Sequence, residues 1–147
     1  MAYEEALRVP LLVRYPRAVP AGQVVDEMAA IVDLAPTLLE FAEVSVDRKL
    51  DGRSLVPLLK GESPDDWRDS LLVEYNTDTV FPRVKNMGYH AVRTSRWKYI
   101  RYNDLKGMDE LYDLKNDPYE MRNLLSGSET PPILPSLQAE LDRLLSE

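Results

Sequence analysis

The stretch YHAVRTSRWKYIRY, residues 89–102, decides the architecture. Two β-rich runs, Tyr89–Thr94 and Trp97–Tyr102, are separated only by Ser95-Arg96. β-Branched and aromatic side chains suit a pleated surface, and a two-residue link between such runs reads as a tight antiparallel hairpin. Leu71-Leu72-Val73-Glu74-Tyr75 before it and Glu110 to Leu114 after it are also strand-like. Successive strands joined by short turns predict a small antiparallel sheet of about four strands. Beyond a Ser/Gly/Thr/Pro linker from Ser126 to Pro132, Leu134, Leu137, Leu141, Leu144 and Leu145 recur at helical spacing through a polar background. That pattern predicts a C-terminal amphipathic helix whose apolar face packs on the sheet.

Upstream, the signals change. Val9-Pro10-Leu11-Leu12-Val13 is a short, unalternating apolar run and reads as a strand buried on both faces. Such a strand needs a larger sheet than this segment supplies. Gln23 to Asp26 reads as a short strand. Asp33 reads as the N-cap of a helix over Leu34 to Ala42, with Pro36 tolerated in its first turn and Leu34, Leu38, Leu39 and Ala42 on one face. Asp51-Gly52 marks a turn, and a second short helix, Leu55 to Leu59, stops at Gly61. The organisation expected is an α/β piece over residues 1–62 and an α+β subdomain over 63–147.

Composition narrows the chemistry. The 147 residues carry a net charge of −7, which argues against a nucleic-acid partner, since phosphate binding needs a basic face. No run of eighteen apolar residues offers a membrane-spanning helix. There is no cysteine, so disulfides, thiolate metal sites and cysteine nucleophiles are excluded within the sequence. A single histidine, His90, rules out a multi-histidine zinc centre. No G-x-S-x-G, P-loop or G-x-G-x-x-G is present. The compartment stays open.

Six segments, in order, resemble the C-terminal part of the sulfatase family: YEEALRVPLLVRYP (3–16), VDLAPTLLEFA (32–42), DGRSLVPLLKG (51–61), WRDSLLVEY (67–75), AVRTSRWKYIRY (91–102) and ELYDLKNDPYEMRNL (110–124). The resemblance covers nearly the whole chain. It implies the alkaline phosphatase-like superfamily: a large α/β domain followed by a small subdomain with a four-stranded antiparallel sheet and a packed helix. Val9 to Val13 would then be a strand of the large domain's sheet. It also implies hydrolysis of sulfate esters of small molecules or sugars, with calcium and a formylglycine nucleophile in the complete enzyme. Formylglycine arises from a C/S-x-P-x-R motif, and no proline here has Cys or Ser two positions before it. The family's calcium ligands and sulfate-binding lysine lie ahead of the segment matching Tyr3-Glu4-Glu5. The chain is therefore expected to hold no catalytic and no metal-ligating residue, to be inactive by itself, and to be a truncated form or one with a mis-called start, the family's pattern being entered mid-motif at Met1. Where the family commonly has a glycine after the helix over 34–42, this sequence has Glu43.

Candidate binding residues remain. Arg83, Lys85 and His90 lie in or beside the long loop over 76–90, and such loops on a rigid scaffold carry recognition. Cationic donors there suit an anionic sulfated substrate; the competing reading is a solvated loop with His90 a satisfied strand residue. Asp113, Asn116, Asp117 and Glu120 invite a calcium reading, but D-x-[DN]-x-[DN]-G is not met and Pro118 favours a turn. Glu4 and Arg8 are spaced for an ion pair one helical turn apart. Arg93, Arg96, Lys98 and Arg101, interleaved with Trp97, Tyr99 and Tyr102, read as a hairpin with aromatics buried on one face and charges solvated on the other. Two other functions are weighed: a non-catalytic interaction module or half of a split enzyme, and a fragment of a related phosphonate or phosphate monoester hydrolase. The unpaired strand at Val9 to Val13 leads to a homodimer through that region, or to disorder of the first fifty residues.

Overall fold

The computed structural model describes residues 2–76 and 85–146. The chain divides into two compact units, one of Met1–Val9 with Ser70–Glu147 and the other of Pro10–Asp69. The boundary expected near residue 62 falls beside Asp69, while the first nine residues, expected with the α/β piece, join the sheet.

The sheet unit holds β1 (Ser70–Tyr75), β2 (Tyr89–Thr94), β3 (Trp97–Tyr102) and β4 (Glu110–Asp113), in the order β1-β2-β3-β4 and antiparallel throughout. This is the predicted meander. The Ser95-Arg96 turn is held by Thr94, whose hydroxyl accepts from the Trp97 amide at 2.9 Å. The Arg96 guanidinium lies 4.6 Å from the Trp97 ring centre and forks onto Asp113 at 3.0 and 2.7 Å, tying the turn to the end of β4.

Register sorts the strand residues onto two faces, since side chains alternate with a period of two. Leu72, Val92, Tyr99 and Leu111 face one way and pack with Leu137 and Leu141 of the C-terminal helix, Leu134–Leu145. Val92, Leu111 and Leu141 are fully buried. The Ser70 hydroxyl donates to Glu140 at 2.5 Å and fixes where the helix crosses β1.

Ala91, Ile100, Tyr89 and Tyr112 face the other way, and this face is covered too. Its cover is the N-terminal segment: Ala2 is buried, Tyr3 packs edge-on to Tyr112, and a single helical turn, α1 (Glu4–Leu7), follows. The sheet is thus buried on both faces, which is why β3 does not divide into an aromatic and a solvated face. Trp97, Tyr99 and Arg101 point to the helix, Lys98, Ile100 and Tyr102 to the N-terminal segment, and Lys98 is completely buried.

The Pro10–Asp69 unit contains a 3₁₀ turn (Ile31–Asp33), α2 (Leu34–Phe41) and α3 (Val56–Leu59). Asp33 organises it. Its buried carboxylate accepts from the Ala30 and Arg53 amides at 2.7 and 2.8 Å and from both Arg68 guanidinium nitrogens at 2.6 and 2.7 Å. Burial pushes this carboxyl up, but Arg68 and the two amides more than offset that and leave it below the ordinary value. Gly52 is required here, because a Cβ would lie 2.0 Å from the Val32 carbonyl oxygen. Gly61 caps α3 at φ +84° as expected. Glu43 takes φ 56°, the left-handed conformation that glycine adopts most readily.

Two strand expectations fail. Neither Val9 to Val13 nor Gln23 to Asp26 forms a strand, and among the described residues none precedes Ser70. A strand exists only by pairing, and among the described residues none pairs with these runs. Their side chains are correspondingly exposed, Leu12 by 88% and Val24 by 83%.

Replacing Leu141 by Ala empties a fully buried position between helix and sheet. The expected cost is about 2–5 kcal/mol in urea unfolding, whereas Leu145→Ala, at the exposed last turn of the same helix, changes the midpoint little.

Candidate functional site

The loop entering β2 carries the residues with the donor chemistry for an anion. Lys85 is exposed and precedes Asn86, which adopts φ 62°. Arg83 lies outside the described residues. His90 sits on β2, half-buried, with Nε2 3.4 Å from Glu74 on the directly opposed position of β1. On its other side His90 is opposite Arg101 of β3, whose guanidinium reaches Asp142 of the C-terminal helix at 2.8 Å. A row of acid, imidazole, guanidinium and acid therefore crosses the helix-facing side of the sheet near the loop. The structure engages His90 in that row and leaves Lys85 open to solvent.

The most constrained charges lie on the opposite face. The Lys98 ammonium donates to Glu4 at 2.8 Å, to Glu120 at 2.7 Å and to the Ala2 carbonyl at 2.8 Å. The second Glu120 oxygen accepts from the Glu4 amide at 2.6 Å, and the second Glu4 oxygen accepts from Arg93 at 3.0 Å. Glu4 thus pairs with Arg93 and Lys98 and not with Arg8, because a desolvated carboxylate gains more from buried cations than from one at the surface. Burial raises the Glu4 carboxyl, and the bonds to Arg93 and Lys98 outweigh it, holding the group below its usual range. Every ammonium proton of Lys98 is used, so the cluster has no capacity left for a ligand and acts as a clamp.

A third cluster surrounds Glu110, which accepts from the phenols of Tyr102 at 2.8 Å, Tyr112 at 2.5 Å and Tyr3 at 3.4 Å. Burial, then the adjacent carboxylate, drives the Tyr102 and Tyr112 phenols far above the ordinary value. Tyr99 is pushed up to about 12 by burial and by its bond to Asp109. These phenols stay protonated at neutral pH and serve as donors, not as bases or nucleophiles.

The acidic stretch 113–123 is a turn whose side chains cap its own backbone. Asp117 accepts from the Met121 and Arg122 amides at 3.0 and 2.8 Å, Asn123 from the Leu111 and Leu125 amides at 3.0 and 2.9 Å, and Asp113 from Asn116 at 2.8 Å. Among the described residues no group of three or more His, Asp or Glu side chains is placed to hold a metal ion. The side chains of this turn are committed to its backbone and do not fit a calcium centre.

A four-stranded antiparallel meander closed by a C-terminal helix is the small subdomain that ends sulfatases, and the comparisons agree. The chain belongs to the family described as N-sulphoglucosamine sulphohydrolase, C-terminal, whose model matches residues 1–147. It is 39% identical, over 99% of its length, to an N-acetylglucosamine-6-O-sulfatase of Bacteroides thetaiotaomicron, and 34% identical, over 83%, to the N-acetylglucosamine-6-sulfatase of Bos taurus. It spans about a quarter of those relatives, 25% and 26% of their lengths. Among solved structures it is similar to BT4656 in complex with its substrate D-glucosamine-2-N,6-O-disulfate, with a TM-score of 0.80 and 32% identity, covering 90% of this chain and 27% of that one.

Lys98→Ala leaves the buried Glu120 carboxylate without its cation and Glu4 with Arg93 alone, and an expected loss of about 3–5 kcal/mol is read by urea unfolding. Glu120→Gln, which keeps the shape and one acceptor, costs less. The Arg96 guanidinium holds the Asp113 carboxyl down at about 2, and Arg143 does the same for Glu140. Both groups are depressed below unfolded values of about 4, so their contribution is complete above pH of about 5 and is lost as pH falls towards 2. Asp113→Asn is expected to flatten that acid limb when the unfolding midpoint is followed against pH.

Proposed function

We propose that this chain is the C-terminal part of a sulfatase acting on a sulfated glucosamine-type sugar, and that Arg83, Lys85 and His90 contact its anionic substrate. The observation that carries this reading is the 39% identity over nearly the entire chain to an N-acetylglucosamine-6-O-sulfatase. The likeness to a structure holding a disulfated glucosamine supports it. A phosphonate monoester hydrolase of Agrobacterium radiobacter is less similar, with a TM-score of 0.60 and 28% identity over 78% of the chain. That difference favours the sulfate ester over the phosphonate.

In this reading the chain's own residues bind and orient. The Lys85 ammonium lends a mobile point charge from the exposed turn, and His90, braced by Glu74, offers a directional donor. Calcium and formylglycine supply charge stabilisation and the nucleophile in the complete enzyme. Both belong to residues outside this sequence, which contains no C/S-x-P-x-R. By itself the chain releases no sulfate.

The test is steady-state kinetics of the complete enzyme carrying this sequence, with a 6-O-sulfated glucosamine as substrate. Lys85→Ala and His90→Ala are each expected to raise KM by about tenfold, the worth of one charge-assisted bond, with little change in kcat. Unchanged KM in both variants would remove these residues from the substrate site, and absence of sulfate release by the complete enzyme would remove the sulfatase assignment.

A further inference from the structure

The two edges of the sheet are finished differently. Which backbone groups point outward follows from the register. The Leu114 amide donates to the Arg96 carbonyl at 2.8 Å, and the Asn103 amide to the Gly88 carbonyl at 2.9 Å. Bonded and unbonded pairs alternate along an antiparallel ladder. Carried along the strands, β4 bonds β3 through Glu110 and Tyr112, and β1 bonds β2 through Leu71, Val73 and Tyr75. The outward groups are therefore those of Leu111 and Asp113 on β4 and of Ser70, Leu72 and Glu74 on β1. The β4 edge is closed. Asn123 lies along it as a strand would, its side-chain oxygen accepting from the Leu111 amide at 3.0 Å and its side-chain nitrogen donating to the Asp109 carbonyl at 3.1 Å. The Asp113 carbonyl accepts from the Asn116 and Asp117 amides at 3.0 and 2.7 Å. The β1 edge has no such finish. Among the described residues no hydrogen bond reaches the outward backbone groups of Ser70, Leu72 and Glu74. The strand pairs without a bulge over all of Ser70–Tyr75 and contains neither proline nor lysine, the features that protect an edge.

We propose that β1 is an interaction edge whose occupant is β1 of a second copy of this chain, joined antiparallel about a two-fold axis at Leu72 into one continuous sheet. The occupant is argued from the strand's own pattern. Ser70-Leu71-Leu72-Val73-Glu74 reads polar, apolar, apolar, apolar, polar in both directions. Centred on Leu72, the pairing sets Ser70 against Glu74 of the second copy and Leu71 against Val73 of the second copy, so apolar meets apolar and no like charges face. Leu72 exchanges both its backbone bonds with Leu72 of the second copy, and the outward groups of Ser70 and Glu74 find partners too. Centring on Val73 instead sets Glu74 against Leu72 and puts the pattern out of phase. Charge fits as well. The incoming Glu74 arrives beside Ser70, whose hydroxyl holds Glu140 at 2.5 Å. The Arg143 guanidinium, bonded to Glu140 at 2.8 and 2.7 Å, supplies the positive charge beside both carboxylates. An unrelated peptide would meet only the edge's hydrogen bonds, whereas a second copy supplies the matching pattern.

The test is sedimentation equilibrium of the 147-residue chain at micromolar to millimolar concentration, since one strand pair buries less than a standard interface. A dimer is expected. Two substitutions are each expected to weaken it at least about tenfold, the worth of one hydrogen bond counted on both copies. Glu74→Pro deletes an outward donor and leaves the β1–β2 ladder intact, and Leu71→Lys sets a charge against the apolar Val73 of the second copy. Cross-linking reads the register. The sequence has no cysteine, and opposed residues of a bonded pair have Cα atoms about 5.5 Å apart, within disulfide reach. Leu72→Cys is therefore expected to link to itself under mild oxidation, and Glu74→Cys, which faces Ser70, is not. If either of the first two substitutions unfolds the chain, the cross-link decides. A monomer throughout the concentration range, a dimer indifferent to Glu74→Pro and Leu71→Lys, a dimer dissolved by Leu12→Glu instead, or linkage through Glu74→Cys in preference to Leu72→Cys overturns the proposal. No readout involves sulfate release, so the outcome is independent of the sulfatase reading.

Discussion

A lysine with no exposed surface holds the sheet unit together. Removing an ammonium from water costs several kcal/mol, and only close, well-aligned partners offset it. Lys98 finds them on two stretches remote in sequence: Ala2 and Glu4 before it and Glu120 after it. One buried charge thus ties the N-terminal segment and the turn after β4 to β3. Arg93 stands directly opposite Lys98 in the ladder, a like-charge pair that would be unfavourable by itself. Glu4, bonded to both, converts that repulsion into a reason for α1 to sit there. Glu120 accepts φ 55° to reach its place, strain that the buried bonds over-determine.

The two units then stand in contrast. In the sheet unit the apolar residues of both faces have cover, and the remaining polar groups find partners in the caps of the turn and the row across β1, β2 and β3. In the Pro10–Asp69 unit a carboxylate occupies the centre and leucines lie outside. The first has both faces of its sheet covered. The second is organised by hydrogen bonds to Asp33.

What could be read from the sequence followed from local periodicity. The hairpin at Ser95-Arg96, the four antiparallel strands and the C-terminal helix follow local patterns, and period and turn chemistry reveal those. The end of α3 at Gly61 and the turn at Asp117-Pro118 are legible for the same reason. The Lys98 cluster was not, because nothing local distinguishes a lysine that will be buried from one that will be solvated; its partners are 96 and 22 residues away. Alternation implied one wet face, and the cover supplied by Ala2 and Tyr3 removed it. Val9 to Val13 carries the composition of a buried strand, yet composition cannot provide the neighbours that make one. Of the candidate binding residues, His90 was placed on its strand by pattern alone, but its brace, Glu74, emerged only from the register.

The long reach of the clamp bears on how such a chain is made. The meander closes neighbour on neighbour, so each strand can add as soon as it leaves the ribosome. Residues 2 to 5 emerge before the sheet and are secured after it, since Glu120 must be synthesised before the Glu4 amide has its acceptor. During that interval the uncovered sheet face, with Ile100 and Tyr112, is open to the surroundings. Translation speed through residues 98–120 thus sets how long a nascent sheet waits, half-clothed, for the earlier segment to return.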